Sequence, residues 1–153
     1  MKHLCFLLIL IAVAVSCGKK DGPSQPAPIV EDEYLGTVTV LFRGEYVDTE
    51  NIKVTFAHSQ GGKTADLTIY DIRFVPEMPV TITTTIPSVT VEMDGNILRF
   101  SGENIVPLAL NGEYPQYTVT GLAGTIDDGN IDFRLNFGSI PTSYSGKISI
   151  FED

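Results

Sequence analysis

The sequence predicts an all-β protein: an antiparallel, up-and-down eight-stranded barrel, with a two-sheet sandwich as the runner-up. Three observations predict it. From Tyr34 onward Thr, Ile, Val, Phe and Tyr far outnumber Ala and Leu, a composition suited to pleated, half-buried strands. Apolar side chains recur with period two, and no Gly-free and Pro-free window repeats them at helical spacing. Turn residues divide the alternating runs at short intervals.

The chain opens differently. Lys2 precedes an apolar run from Leu4 to Val15, too short for a helix that must cross roughly 30 Å of hydrocarbon with ~20 residues. The run ends at Ala14-Val15-Ser16-Cys17, followed by Gly18. This pattern resembles the lipobox of bacterial lipoproteins, with Ala14 standing where Leu is usual. The resemblance implies cleavage before Cys17, a diacylglycerol thioether on its sulfur and acylation of the new amine. Residues 1–16 are then a lipoprotein signal peptide, and Cys17 is the lipidated residue. Cys5 lies inside the discarded run, so no second thiol remains for a disulfide or a metal cluster. Several acyl chains at ~0.8 kcal/mol per buried methylene make a stable anchor.

Residues 17–33 read as a flexible Pro-rich tether: Pro23, Pro26 and Pro28, two glycines and the acidic triplet Glu31, Asp32 and Glu33. Lys19, Lys20 and Asp21 also resemble the charged sorting signals of surface lipoproteins in Bacteroidetes, but the preferred reading of them is a solvated linker.

The domain then spans 34–153. Ile131, Phe133, Leu135 and Phe137 alternate with Asp132, Arg134 and Asn136. Ile52, Val54 and Phe56 alternate with Lys53 and Thr55, and Ile148 and Ile150 with Lys147 and Ser149. Asp94-Gly95 and Asp128-Gly129 are hairpin signals, because a two-residue type I′ turn needs positive φ at its centre. Gly61-Gly62 and Asn111-Gly112 mark further reversals. Strands are expected over 35–43, 51–59, 64–74, 80–86, 89–93, 97–101, 105–110, 117–126, 130–138 and 144–151, some of them merging. No crossover helix fits between them, so the sheet is antiparallel. Closing it buries the apolar face and removes exposed edges.

Leu35-Gly36-Thr37-Val38, Tyr70-Asp71-Ile72-Arg73-Phe74, Met78-Pro79, Val119 to Ile126 with Asp127-Asp128-Gly129-Asn130, and Ser145-Gly146-Lys147 together resemble the calycin-like β-barrel domain of Bacteroidetes lipoproteins. The resemblance implies a lipocalin-like, eight-stranded barrel and carries over no catalytic residue. Lipocalins open on Gly-x-Trp; here Gly36 is followed by Thr37 and Val38, and the chain has no tryptophan.

Ten basic against 19 acidic residues leave a net charge of −9, which argues against nucleic acid and against anionic headgroups as partners. His58 is the one histidine beyond the signal segment, and no Gly-x-Ser-x-Gly elbow accompanies it, so no catalytic triad is expected and the protein is not read as an enzyme. Asp127, Asp128 and Asp132 lack the alternating spacing of a calcium loop and suit a solvated hairpin, so no cofactor or metal is expected. Thr81, Thr83, Thr84, Thr85 and Thr90 read as an exposed strand face. Tyr114 and Tyr117, flanking Pro115, either line a barrel mouth for stacking a sugar or hydrophobe or close the barrel end as core.

The expected role is that of a lipid-anchored envelope lipoprotein, held at the outer membrane on its periplasmic or surface side. Its closed barrel would be a structural or interaction protein with a protein or glycan partner. The alternative is lipocalin-like binding of a small apolar ligand inside the barrel. An eight-stranded barrel is just wide enough for either filling.

Overall fold

In a computed structural model the described residues are 26–149; the expected signal segment, Cys17 and Ile150 lie outside them. Ten strands form one sheet: β1 (Ile29–Phe42), β2 (Glu45–Ser59), β3 (Thr64–Ile72), β4 (Ile82–Asp94), β5 (Ile97–Gly102), β6 (Leu108–Ala109), β7 (Gly112–Glu113), β8 (Val119–Asp127), β9 (Asn130–Phe137) and β10 (Ile140–Ile148). Eight of them, in the order β1-β2-β3-β4-β5-β8-β9-β10, close an antiparallel barrel, because β1 pairs with β10 and β3 pairs with β4. The short β6–β7 hairpin attaches to β4 through Thr84↔Ala109 and Thr85↔Leu108. The barrel of the sequence reading is therefore the observed architecture, and the sandwich is not.

Several boundaries differ. β1 begins at Ile29, inside the segment read as tether, because Ile29 to Glu33 pair with Ser59 to Thr55 of β2. Lys53 Nζ lies 3.5 Å from Glu33 Oε2, which turns one residue of the acidic triplet into a cross-strand partner. The separate strands expected at 80–86 and 89–93 are one strand. Pro87 and Ser88 sit in a bulge opposite Asp66, whose carboxylate accepts the Ser88 N–H at 2.8 Å. A proline that breaks a regular ladder is absorbed there, since a bulge requires no N–H from it. The Asp94-Gly95 turn is displaced by one residue: Asp94 pairs with Ile97, leaving Gly95 and Asn96 as the loop. Asp128 and Gly129, with φ of 46° and 73°, form the expected two-residue turn between Asp127 and Asn130.

Period two sorts side chains as expected. Phe56, Ile131, Phe133, Leu135 and Phe137 are buried inside with Tyr34, Val38, Val54, Leu67, Ile69, Ile86, Val89, Phe100 and Tyr144. Burying each large apolar group contributes about 1.5–3 kcal/mol. Ile148, at the end of β10, stays 38% exposed. Thr84 departs from the expected exposed threonine face: it shares the inward parity of Ile82 and Ile86 and is fully buried.

The strands β1, β2 and β4 have 14, 15 and 13 residues, longer than read from the sequence and long enough to span a bilayer. What separates this barrel from a membrane-spanning one is polarity. Its wall carries Lys53, Glu92, Arg99, Asp132 and Arg134 outward and its lumen is apolar, the reverse of a channel in lipid.

Candidate functional site

Both ends of the barrel and its wall offer candidate surfaces. The first is the end formed by the Arg43-Gly44 turn, the 73–81 loop, the 103–118 connection and the Gly138-Ser139 turn. Tyr114 and Tyr117, the sequence candidates for a mouth, lie here around the 3-10 turn Pro115–Tyr117. Their rings stack 5.1 Å apart, Tyr117 stacks on Phe74 at 4.2 Å, and Phe74 meets Phe137 edge-on at 4.7 Å. Phe74 and Phe137 are fully buried, and both tyrosines are half-buried. The geometry is that of an aromatic stopper whose outer layer is Tyr114 and Tyr117. The sequence offered no signal that Phe74, beyond the end of β3, would turn in to meet them.

A second aromatic series crosses the lumen. Phe56 lies 5.0 Å from Phe100, Phe100 6.0 Å from Phe133, and Phe133 5.2 Å from Tyr144. Aromatic pairs at such separations contribute about 0.5–1.5 kcal/mol beyond their burial. The phenol of Tyr144 donates to the Ile52 carbonyl at 2.9 Å. Burial holds the Tyr144 phenol well above its ordinary pKa, and burial with the nearby Asp32 charge pushes Tyr34 up to about 12.

The wall carries a groove of about 700 Å³ across β1, β10, β9, β8, β5 and the adjoining part of β4. Ladder register explains its lining. One transverse row runs Thr37, Ser145, Asp132, Thr125, Arg99 and Glu92, each paired with the next. The next row runs Thr39, Ser143, Arg134, Ala123 and Ser101. All of these face outward, and all line the groove.

A barrel wall is ordinarily convex. Here the inward positions beneath the groove include Gly36, Gly124 and Gly146. A Cβ on Gly124 would lie 2.6 Å from Phe133 Cβ, and one on Gly36 would meet the backbone of Ser145 and Gly146. With no side chain to hold the wall off the core, the strands sink toward the lumen and the outer face becomes hollow. Gly36 and Gly146, opposite each other in the β1–β10 ladder, bring the two backbones of the dent together. A smaller hollow of about 270 Å³ continues the groove, sharing Thr39, Arg134 and Ser143 and ending at Leu41, Tyr46 and Pro141. The sequence reading missed this surface, because register across six strands assembles it.

The remaining sequence candidates fall elsewhere. His58 Nε2 is 3.9 Å from Asp32 Oδ2, and its ring lies 5.8 Å from Phe56. Asp127 and Asp128 are exposed in a hairpin whose carbonyls accept from Asn130 Nδ2, whereas Asp132 belongs to the groove. Among the described residues no group of three or more His, Cys, Asp or Glu is placed to hold a metal ion. No helix among them is long and apolar enough to cross a membrane. The closed, eight-stranded antiparallel architecture defines an all-β barrel compatible with a calycin-like fold. No protein-family model matches the chain, and the curated proteins contain no match to it.

Proposed function

We propose that this is a lipid-anchored envelope lipoprotein whose barrel is a rigid stand for an external binding surface. One observation carries the choice of surface: the lumen is occupied by its own side chains, Phe56, Phe100, Phe133 and Tyr144 in series, while a groove of about 700 Å³ opens outside. A small apolar ligand in the lumen would have to displace that series, each ring losing its burial energy of roughly 2–3 kcal/mol.

Topology supports the anchor's placement. β1 starts, and β10 ends, at the barrel end that carries the 60–63, 95–96 and 128–129 turns. A lipid on Cys17 would therefore connect to the barrel at that end. The aromatic stopper lies at the opposite end, and the groove along the side.

Two measurements test the reading. Cys17→Ala is expected to move the protein from the membrane to the soluble fraction; unchanged fractionation removes the anchor. Native mass spectrometry of the protein purified from its own cells is expected to show no small apolar passenger. A stoichiometric one would return function to the lumen.

A further inference from the structure

The groove has a chemistry specific enough to name a ligand class. Its opposite charges are not spent on each other. Asp132 and Arg134 are two residues apart on the outer face of β9, a separation of about 7 Å along a strand. Among the described residues Arg134 has no carboxylate within salt-bridge distance, and Asp132 has no cationic partner. Arg99, by contrast, is held by Asp94 at 3.1 Å. The hydroxyls of Thr37, Ser101, Thr125, Ser143 and Ser145 likewise make no side-chain hydrogen bond with another described residue, whereas Thr39 gives its proton to Asp48 at 2.6 Å. The wall thus presents a row of short hydroxyls that can both donate and accept, a carboxylate that accepts, and one uncommitted guanidinium.

Ligand classes sort themselves against that inventory. An apolar ligand could use the apolar part of the lining, which includes Phe100, Ala123 and Phe133, but it would return no partner to Asp132 or Arg134 wherever it covered them. A nucleic acid would bring its phosphates to a chain of net charge −9 and to a groove that also holds Glu92 and Asp132. A chain of sugar hydroxyls matches the hydroxyls and the carboxylates, and one carboxylate on that chain matches Arg134, whose planar fork suits bidentate pairing. Arg134 also stands where the larger hollow meets the smaller, and the smaller leads to Tyr46, whose ring is 77% exposed. An exposed amphipathic ring at the end of the groove offers a face for a sugar ring.

We propose that the groove binds an oligosaccharide bearing a single carboxylate, with Arg134 pairing to that carboxylate, Asp132 accepting ligand hydroxyls and Tyr46 closing one end. This rests on the reading that the outer wall is the working surface.

The test is isothermal titration calorimetry of the full mature protein in detergent. The probes are a cello-oligosaccharide of four to six sugars oxidised to a single terminal carboxylate and the unmodified neutral cello-oligosaccharide of the same length. The acidic probe is expected to bind, and the neutral one to bind at least about tenfold more weakly, the scale of one lost charge-assisted pair. Arg134→Ala should weaken the acidic probe by a similar factor, bringing its affinity down to that of the neutral probe. Ala123→Trp fills the groove from an exposed position and should abolish binding of both, with the melting temperature reporting that each variant folds. Absence of binding by the acidic probe, or equal affinity for both probes, overturns the ligand assignment and leaves the outer-wall reading in place. Binding untouched by both variants overturns the assignment and the outer-wall reading together, because the probe then sits elsewhere.

Discussion

The Tyr144 hydroxyl donates to the Ile52 carbonyl at 2.9 Å, reaching from β10 past β1 to β2 inside the barrel. Gly36 and Gly146 lie beneath that path: a Cβ on Gly146 would come 2.5 Å from the phenol oxygen. Ile52 sits at the β2 bulge, where the pairing Gly36↔Ile52 gives way to Val38↔Thr49 and Asn51 takes a φ of 59°. A bulge disrupts its ladder locally, so a carbonyl there needs a partner from elsewhere. The same two glycines that let the wall sink therefore make room for the bond that pins three strands.

Tyr144→Phe removes the donor and leaves the Ile52 carbonyl buried without this partner. A loss of about 1–3 kcal/mol is expected, read from urea unfolding midpoints. A change below the error of the measurement would mean that water or another group serves the bulge.

Alkaline pH should unfold the barrel through its buried phenols. Both Tyr34 and Tyr144 have native pKa values above the ordinary 10. Below pH 10 both remain protonated in the folded and unfolded chains, and their stabilisation is fully present. Above pH 10 the unfolded chain releases protons that the native state retains, so stability falls as pH rises toward the native values, about 12 for Tyr34. The slope approaches ~1.4 kcal/mol per pH unit for each phenol. Melting temperatures across that interval should drop steeply for the wild type and less steeply for Tyr144→Phe once corrected for its lower starting point.

The dent can be tested at Gly124. An added methyl would press on Phe100 and Phe133, both in the lumen series. Gly124→Ala is expected to cost about 1–3 kcal/mol by overpacking. Gly112→Ala, where nothing lies within 4 Å of the new carbon, is the matched control and should change stability little. Equal effects at the two sites would remove the steric account of the concave wall.

Thr84 predicts a gain. Its hydroxyl is buried and makes no hydrogen bond among the described residues. Valine keeps the shape and removes the unsatisfied group, so Thr84→Val should stabilise by about 1 kcal/mol or more. Destabilisation in urea would reveal a partner for the hydroxyl, most simply a buried water.

How far the sequence could be read depended on the range of the interaction. Alternation at 131–137 and 52–56 is written into adjacent residues, so the inward faces of β9 and β2 were legible, as was the Asp128-Gly129 turn. Pro87-Ser88 misled, because whether a proline ends a strand or sits in a bulge depends on Asp66, far away in sequence. Glu31 to Glu33 misled for a similar reason, since polar residues read as linker until a partner strand is placed beside them.

By itself, then, the sequence determined an all-β barrel with an apolar inside and a charged outside, because side-chain parity along a strand is a local property. Only the tertiary structure decided which outward residues become neighbours. Thr37, Ser145, Asp132, Thr125, Arg99 and Glu92 form one row only through the registers of five successive strand pairings. A shift of a single residue in any of them would turn the whole neighbouring strand over and scatter the groove.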